Sequence, residues 1–179
     1  MEEWNVVATV QPGRYREACR LLEAFGRVRR TVFYNVITVK VEDDRQFLES
    51  LRERLIASPA QCEGLRHVMP AQKTFHFQSP EEFAGFAREA VGSWVPELAG
   101  KTFYVRMHRR GFKGRLSSQD EERFLDKFLL VSLEKIGCPG RVTFDDPDAI
   151  CAVETIGQWA GLSLWTREDR HRFPFLHLD

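Results

Sequence analysis

No stretch of this 179-residue chain approaches the roughly 18 consecutive apolar residues that a membrane-spanning helix needs. A secretory or transit signal is missing too. The opening MEEWNVVATV is acidic and runs into a strand-like pattern, which makes a cytoplasmic protein the expectation. The chain lacks net charge, with 26 lysines and arginines against 26 aspartates and glutamates. It has little cysteine: Cys19, Cys62, Cys138 and Cys151, none of them in a CxxC pair. No histidine pair stands behind the Cys138–Cys151 spacing, so neither zinc nor a disulfide framework is implied. Cys19 and Cys151 lie in apolar patterns and read as buried thiols. GxGxxG, the phosphate-binding P-loop, GxSxG and HExxH are all absent. No catalytic residue, metal or cofactor is expected.

What is present is apolar bulk in two patterned halves. Fourteen phenylalanines and four tryptophans supply more than one core. The first 77 residues follow a βαββαβ rhythm. WNVVATV (4–10) is β-branched and ends at Gln11-Pro12-Gly13. YREACRLLEAFG then places Tyr15, Ala18, Cys19, Leu22 and Phe25 at helical spacing, closed by Gly26. RVRRTVF and VITVKVE pair as a hairpin. DRQFLESLRERLIAS puts Phe47, Leu51, Leu55 and Ile56 on one face, and LRHVMPAQKTFHF supplies a last strand, with Pro70 marking it as bulged or at a sheet edge. Two βαβ-like halves around a hairpin are the pattern of a ferredoxin-like fold.

A second domain, 78–179, begins at Ser79-Pro80-Glu81-Glu82, an N-cap with proline at the first helical position and a capping-box glutamate. Phe83, Phe86, Ala87, Ala90 and Val91 face inward from this helix. A basic strand at 101–109 follows. A long helix over 119–136 comes next, opened by a Ser118–Glu121 capping box and striped with Phe124, Leu125, Phe128, Leu129 and Leu133. The chain then runs through a short strand at 141–144 and strands at 150–157 and 160–167. The fold class expected is α+β in two domains.

The chemistry concentrates in KTFYVRMHRRGFKGR (101–115), with six lysines and arginines, one histidine and no carboxylate. Strand alternation sends Phe103, Val105 and Met107 to a core and Tyr104, Arg106 and His108 to the opposite, basic face. Beyond the strand, two glycines let backbone approach a ligand while Arg109, Arg110, Lys113 and Arg115 offer charge to phosphate. Arginine adds a planar fork for bidentate contacts and a face for stacking. Two readings stand side by side here: a nucleic-acid or phosphate surface, and a solvated basic loop. Acidic residues 120–122 are accounted for by the helix start that follows.

FYVRMHRRG, the SSQDEERFL helix start, VTFDDPDAICAVETIG and the final LSLW strand together resemble the THUMP domain over about residues 80–170. That domain occurs in 4-thiouridine synthases, several tRNA methyltransferases, a pseudouridine synthase and the adaptor for tRNA cytidine acetylation. The motif of an apolar residue, then Arg, then Arg-Arg-Gly matches at Phe103, Arg106, Arg109, Arg110 and Gly111. Pro147-Asp148 and Val153-Glu154 match the later turn and strand. Asp146 departs from the usual asparagine and Thr155 from the usual aliphatic residue. The resemblance implies a ferredoxin-like domain followed by a THUMP domain. It also implies tRNA as partner, engaged at the acceptor stem and 3′ end. Arg106, Arg109 and Arg110 are carried over by motif, with Lys101, Tyr104, His108, Lys113 and Arg115 as neighbours. The closest architecture is the acetylation adaptor, a non-catalytic chain that presents tRNA to a separate modifying enzyme, a tRNA cytidine acetyltransferase.

DDPDAICAVE offers a rival. Asp145, Asp146, Asp148 and Glu154 read either as a metal or acid–base cluster, or as turn residues followed by an outward-pointing glutamate; the aspartates also suit an arginine of the basic strand. A further rival is a protein-binding module that docks the basic strand on an acidic partner. The histidines (67, 76, 108, 171, 177) are scattered, and only His108 has a suggestive position. DRHRFPFLHLD either extends a basic surface or packs the terminus.

Overall fold

The computed structural model describes residues 3–176 and 178. Two compact units are present. One comprises residues 3–72 with 170–176, and the other residues 73–169 with 178. The first contains β1 (Val6–Val10), α1 (Tyr15–Glu23), β2 (Arg27–Arg30), β3 (Val36–Lys40), α2 (Asp44–Ala57), α3 (Pro59–Cys62) and β4 (Leu65–Pro70). Its strands lie in the order β2-β3-β1-β4 and every pair is antiparallel. This is the ferredoxin-like topology the βαββαβ rhythm implies. Pro70 ends β4, an edge strand, where a missing N–H costs no ladder bond. The register irregularity of the β1–β4 pair lies at its other end, where Thr9 faces His67 and Val10 faces Leu65.

The second unit carries β5 (Lys73–His76), α4 (Pro80–Gly92), α5 (Val95–Leu98), β6 (Thr102–His108), α6 (Ser118–Lys135), β7 (Arg141–Val142), β8 (Ala149–Ile156) and β9 (Trp159–Thr166). A last helix, α7, spans Arg167–Arg172. The sheet order is β5-β9-β8-β6-β7, with β6 parallel to both neighbours and the β9 pairings antiparallel. One face carries Phe103, Val105, Met107, Cys151, Val153 and Leu162. They form one core cluster with Phe83, Ala87 and Val91 of α4 and Leu125, Leu129 and Leu133 of α6.

Four expectations are corrected. The run 65–77 is two strands rather than one. β4 ends at Pro70, Ala71 donates its N–H to the Asn5 carbonyl at 2.7 Å, and β5 then pairs with β9 in the other sheet. The division therefore falls after Gln72, not after residue 77, and residues 170–176 belong to the first unit. In α2 the buried residues are Phe47, Leu48 and Leu51, while Ile56 is exposed, about half a turn round from Phe47. Phe86 and Phe124, on the flanks of their stripes, are also exposed. Ser117, not Ser118, caps α6, accepting from the Asp120 N–H. Ser79 caps α4 as expected, and Glu82 reaches back to the Gln78 N–H at 2.8 Å.

The C-terminal tail packs rather than extending a basic surface. Phe173, Phe175 and Leu176 are buried, and Arg172 grips Glu49 with two bonds at 2.7 and 2.9 Å. The guanidinium holds the Glu49 carboxyl below its ordinary range.

β6 positions the site, and its outer edge is finished by side chains. β7 pairs with it only at Thr102 and Phe103. Further along, the N–H of Val105 donates to Asp126 Oδ1 at 2.9 Å, and that of Met107 to Glu122 Oε1 at 2.7 Å. The two carboxylates stand one helical turn apart on α6, so a helix face satisfies the free edge of a strand. Glu122 is thus not merely a helix-start charge. Burial, with a smaller contribution from Glu122, outweighs the Val105 hydrogen bond and pushes the Asp126 carboxyl up to about 7. In the unfolded chain it titrates near 4. The native state therefore holds a proton between about pH 4 and 7 that the unfolded state has released, and stability falls as pH rises through that window. Asp126→Asn keeps an acceptor for Val105 and removes the charge. Its stability advantage over the wild type should grow by about 1–2 kcal/mol from pH 5 to pH 8, after discounting for partial solvent access. Urea titrations at the two pH values check this; a constant difference would remove the assignment.

Candidate nucleic-acid interface

β8 lies inside the sheet and is buried at all eight positions, Glu154 included at 4% exposure. Glu154 does lie on the sheet face opposite Val153 and the core cluster, but it is not at the surface: His108 and Arg110 bond to its carboxylate. The parallel register sets it beside His108. His108 Nδ1 lies 2.7 Å from Glu154 Oε1, and Arg110 Nη1 donates to Glu154 Oε2. One buried carboxylate therefore holds two of the expected RNA-binding side chains. A carboxylate this enclosed is tolerable only when paired and hydrogen-bonded.

Backbone joins the same point. Thr155 Oγ1 accepts the Arg110 N–H at 2.9 Å, and the Gly157 N–H donates to the Arg110 carbonyl at 2.8 Å. Thr155 thus supplies a hydroxyl that an aliphatic residue would lack. Gly111, at φ +102°, passes so close that a Cβ there would sit 2.9 Å from Gly157 Cα. Phe112 also has positive φ and packs against Phe77, ring centroids 5.0 Å apart and planes tilted by 45°. The Arg115 guanidinium covers the Phe112 ring at 4.8 Å, and Leu116, buried, returns its N–H to the Phe112 carbonyl at 3.0 Å. The loop is anchored at its start by Glu154, Thr155 and Gly157 and at its end by Phe112 and Leu116. Between these anchors it presents charge.

The eight expected residues divide accordingly. Lys113 and Arg115 are exposed on the loop, and half-buried Arg109 folds back so that Nη1 donates to the Gly111 carbonyl. Arg110 and His108 are committed to Glu154. Tyr104 is 3% exposed, its ring 5.1 Å from Phe144 and covered by the Arg106 guanidinium at 5.5 Å. Tyr104 is therefore not an open stacking surface; Phe144, 71% exposed, is its outer cover. Lys101 is exposed but precedes the other end of β6, about 20 Å from the loop by strand rise. Sequence reasoning missed Thr155 and Gly157 as supports, and took Glu154 for a surface residue. The Val-Glu motif was the available signal.

The aspartates of 145–148 build a turn. Asp148 accepts from the Thr102 N–H at 2.9 Å and hydroxyl at 3.1 Å, and from Arg167 Nη1 at 3.0 Å. The backbone N–H of Thr102, then its hydroxyl and Arg167, hold the Asp148 carboxyl below its ordinary value. Asp146 sits at φ +43°, a left-handed conformation that asparagine and aspartate tolerate best, and pairs with Arg167 at 3.0 Å. The arginine held there is Arg167, not one from β6, because the turn lies at the opposite end of the strand from Arg109 and Arg110. Glu154 is six residues further along β8, about 20 Å away, so the four carboxylates form no single centre. Among the described residues no group of three or more His, Cys, Asp or Glu side chains could hold a metal ion. His76 packs against Trp159 at 5.2 Å; His177 lies outside the described residues. Among the described residues no helix is long and apolar enough to cross a membrane.

The chain matches no family model. It is 29% identical over 140 residues to a tRNA sulfurtransferase of Shewanella loihica, a match covering 78% of this chain and 26% of that protein. It therefore spans about a quarter of the curated relative's length. Among solved structures it resembles PH1313 from Pyrococcus horikoshii, with TM-score 0.60 and 15% identity over 91% of this chain and 54% of that one. TrmN from Thermus thermophilus gives TM-score 0.60 and 20% identity over 90% and 45%. A 4-thiouridine synthetase, in complex with RNA and ATP, gives 0.56 and 16% over 92% and 42%. These likenesses establish a shared two-sheet α+β fold.

Proposed function

We propose that this chain is a tRNA-binding region of THUMP type that captures the acceptor stem and 3′ end and presents the tRNA to a separate modifying enzyme. The observation that carries the reading is the anchored basic loop 109–115. Its backbone is fixed at both ends while Lys113 and Arg115 stand in solvent, with Arg109 beside them. A pre-ordered cationic loop binds backbone phosphate without first losing conformational freedom. The match to a tRNA sulfurtransferase and the fold shared with a synthetase solved with RNA support RNA as the ligand.

Arg109, Lys113 and Arg115 supply the charge. Arg110 and His108 act through Glu154 by fixing where the strand becomes loop, and Arg106 keeps the face over Tyr104 cationic. Chemistry on the tRNA falls to another protein, and a tRNA cytidine acetyltransferase is the partner proposed. Two aspartates of the rival catalytic reading, Asp146 and Asp148, are occupied by Arg167 and Thr102, which favours the binding role.

A tRNA transcript lacking its unpaired 3′ nucleotides should bind at least tenfold more weakly than the intact one, since each stacked base contributes about 1–3 kcal/mol. Equal affinity would remove the 3′-end assignment. Nucleoside analysis of tRNA from cells without this chain should show loss of acetylated cytidine. Intact acetylation with loss of 4-thiouridine would instead support thiolation, a second reading that the sulfurtransferase match favours.

A further inference from the structure

The basic loop is not the only stretch without acids. Residues 24–41 carry Arg27, Arg29, Arg30 and Lys40 and not one carboxylate. They form the β2–β3 hairpin, and β2 is the edge of its sheet, with all three of its arginines exposed. Alternation puts Arg27 and Arg29 on one side of the strand. Arg30 turns to the other, 5.6 Å over the Tyr15 ring.

The hairpin's connection is built rather than loose. Thr31 Oγ1 donates toward the carbonyls of Val36 at 2.9 Å and Phe33 at 3.2 Å and accepts the Phe33 N–H at 3.1 Å. Asn35 takes a left-handed φ of +55°, and its carbonyl receives the Val10 N–H at 3.0 Å. This stitched turn holds Val32 at 95% and Tyr34 at 83% exposure. A single exposed apolar residue is ordinary. Two at the tip of a pinned turn, continuous with a row of arginines, form the combination that binds single-stranded nucleic acid, in which aromatic faces take bases and cations follow the backbone.

We infer that the β2–β3 hairpin is a second RNA contact, with Tyr34 stacking on an unpaired base and Arg27 and Arg29 neutralising the adjoining phosphates. This rests on the tRNA-binding reading and adds to it a second contact, on the ferredoxin-like unit.

Fluorescence anisotropy with a labelled full-length tRNA transcript tests it, using the whole chain and salt from 0.05 to 0.4 M. Arg27→Ala/Arg29→Ala should weaken binding roughly 30-fold near 0.1 M salt and reduce the steepness of the log–log salt dependence by about 1.5. Tyr34→Ala should cost roughly tenfold with the slope unchanged, and Tyr34→Phe should restore affinity because the ring is kept. Thermal melts confirm that these surface variants fold. Arg109→Ala/Lys113→Ala/Arg115→Ala is measured alongside. If that variant weakens binding while the hairpin variants match the wild type, the hairpin inference is overturned and the tRNA reading stands. That outcome would leave the exposed tip to a protein partner. A wild-type chain that binds no tRNA overturns both.

Discussion

Glu154→Ala should lower stability by about 2–4 kcal/mol at neutral pH and should also weaken tRNA binding, although Glu154 itself is out of reach of any ligand. The carboxylate is 4% exposed and bonded to both His108 and Arg110. Its removal leaves a guanidinium that is only 17% exposed without its counter-charge. Arg110→Ala should be about as costly, because it strands most of the charge of a buried carboxylate. If the two residues act as a unit, the double substitution will cost clearly less than the sum of the singles. Denaturant titrations of the four proteins check this. Additive losses would mean that the pair is incidental. The three arginines 106, 109 and 110 are thus not equivalent: Arg110 is committed to Glu154, Arg106 lies over Tyr104, and Arg109 stays on the loop.

Gly111→Ala should be the more disruptive of two matched glycine substitutions. A Cβ at Gly111 would meet Gly157 Cα at 2.9 Å in a backbone already at φ +102°. Both obstacles are backbone, and neither can rotate away. A loss of about 2–4 kcal/mol is expected, together with a loop displaced from its anchor and tRNA affinity reduced about tenfold. Gly114→Ala is the control. Gly114 shares positive φ, at +77°, but has nothing within 4 Å of the added atom, so only the conformational cost of about 1–2 kcal/mol applies. If both substitutions cost the same, the close crossing of 111 and 157 does not constrain the loop. Urea denaturation and gel shift on the same preparations separate the effects.

Local pattern made the two-unit architecture legible. β-Branched runs, helical spacing and the Ser79 cap all reappear in the structure, since each is decided by residues a few positions apart. What was not legible depends on distant residues. Nothing near Lys73 says that β5 leaves the first sheet for β9, a partner more than 80 residues later. Glu154 follows an alternating pattern that suits a surface strand, yet it is enclosed, with its carboxylate bonded to His108 and Arg110 from a distant segment. Tyr104 fell on the basic face by alternation and is buried because Phe144 and Arg106 close over it. Glu122 reads as helix-start charge and nothing local singles out Asp126; their role appears only once α6 lies along the free edge of β6.

The salt dependence of tRNA binding tests most directly whether loop 109–115 is a phosphate contact. Three neutralised phosphates contribute about −2 to −3 to the slope of log affinity against log salt. The Arg109→Ala/Lys113→Ala/Arg115→Ala variant should therefore give a line shallower than wild type by that amount, with a thermal melt to confirm that it folds. A wild type that fails to retard tRNA at low salt, or a variant whose line is parallel to that of the wild type, would contradict it.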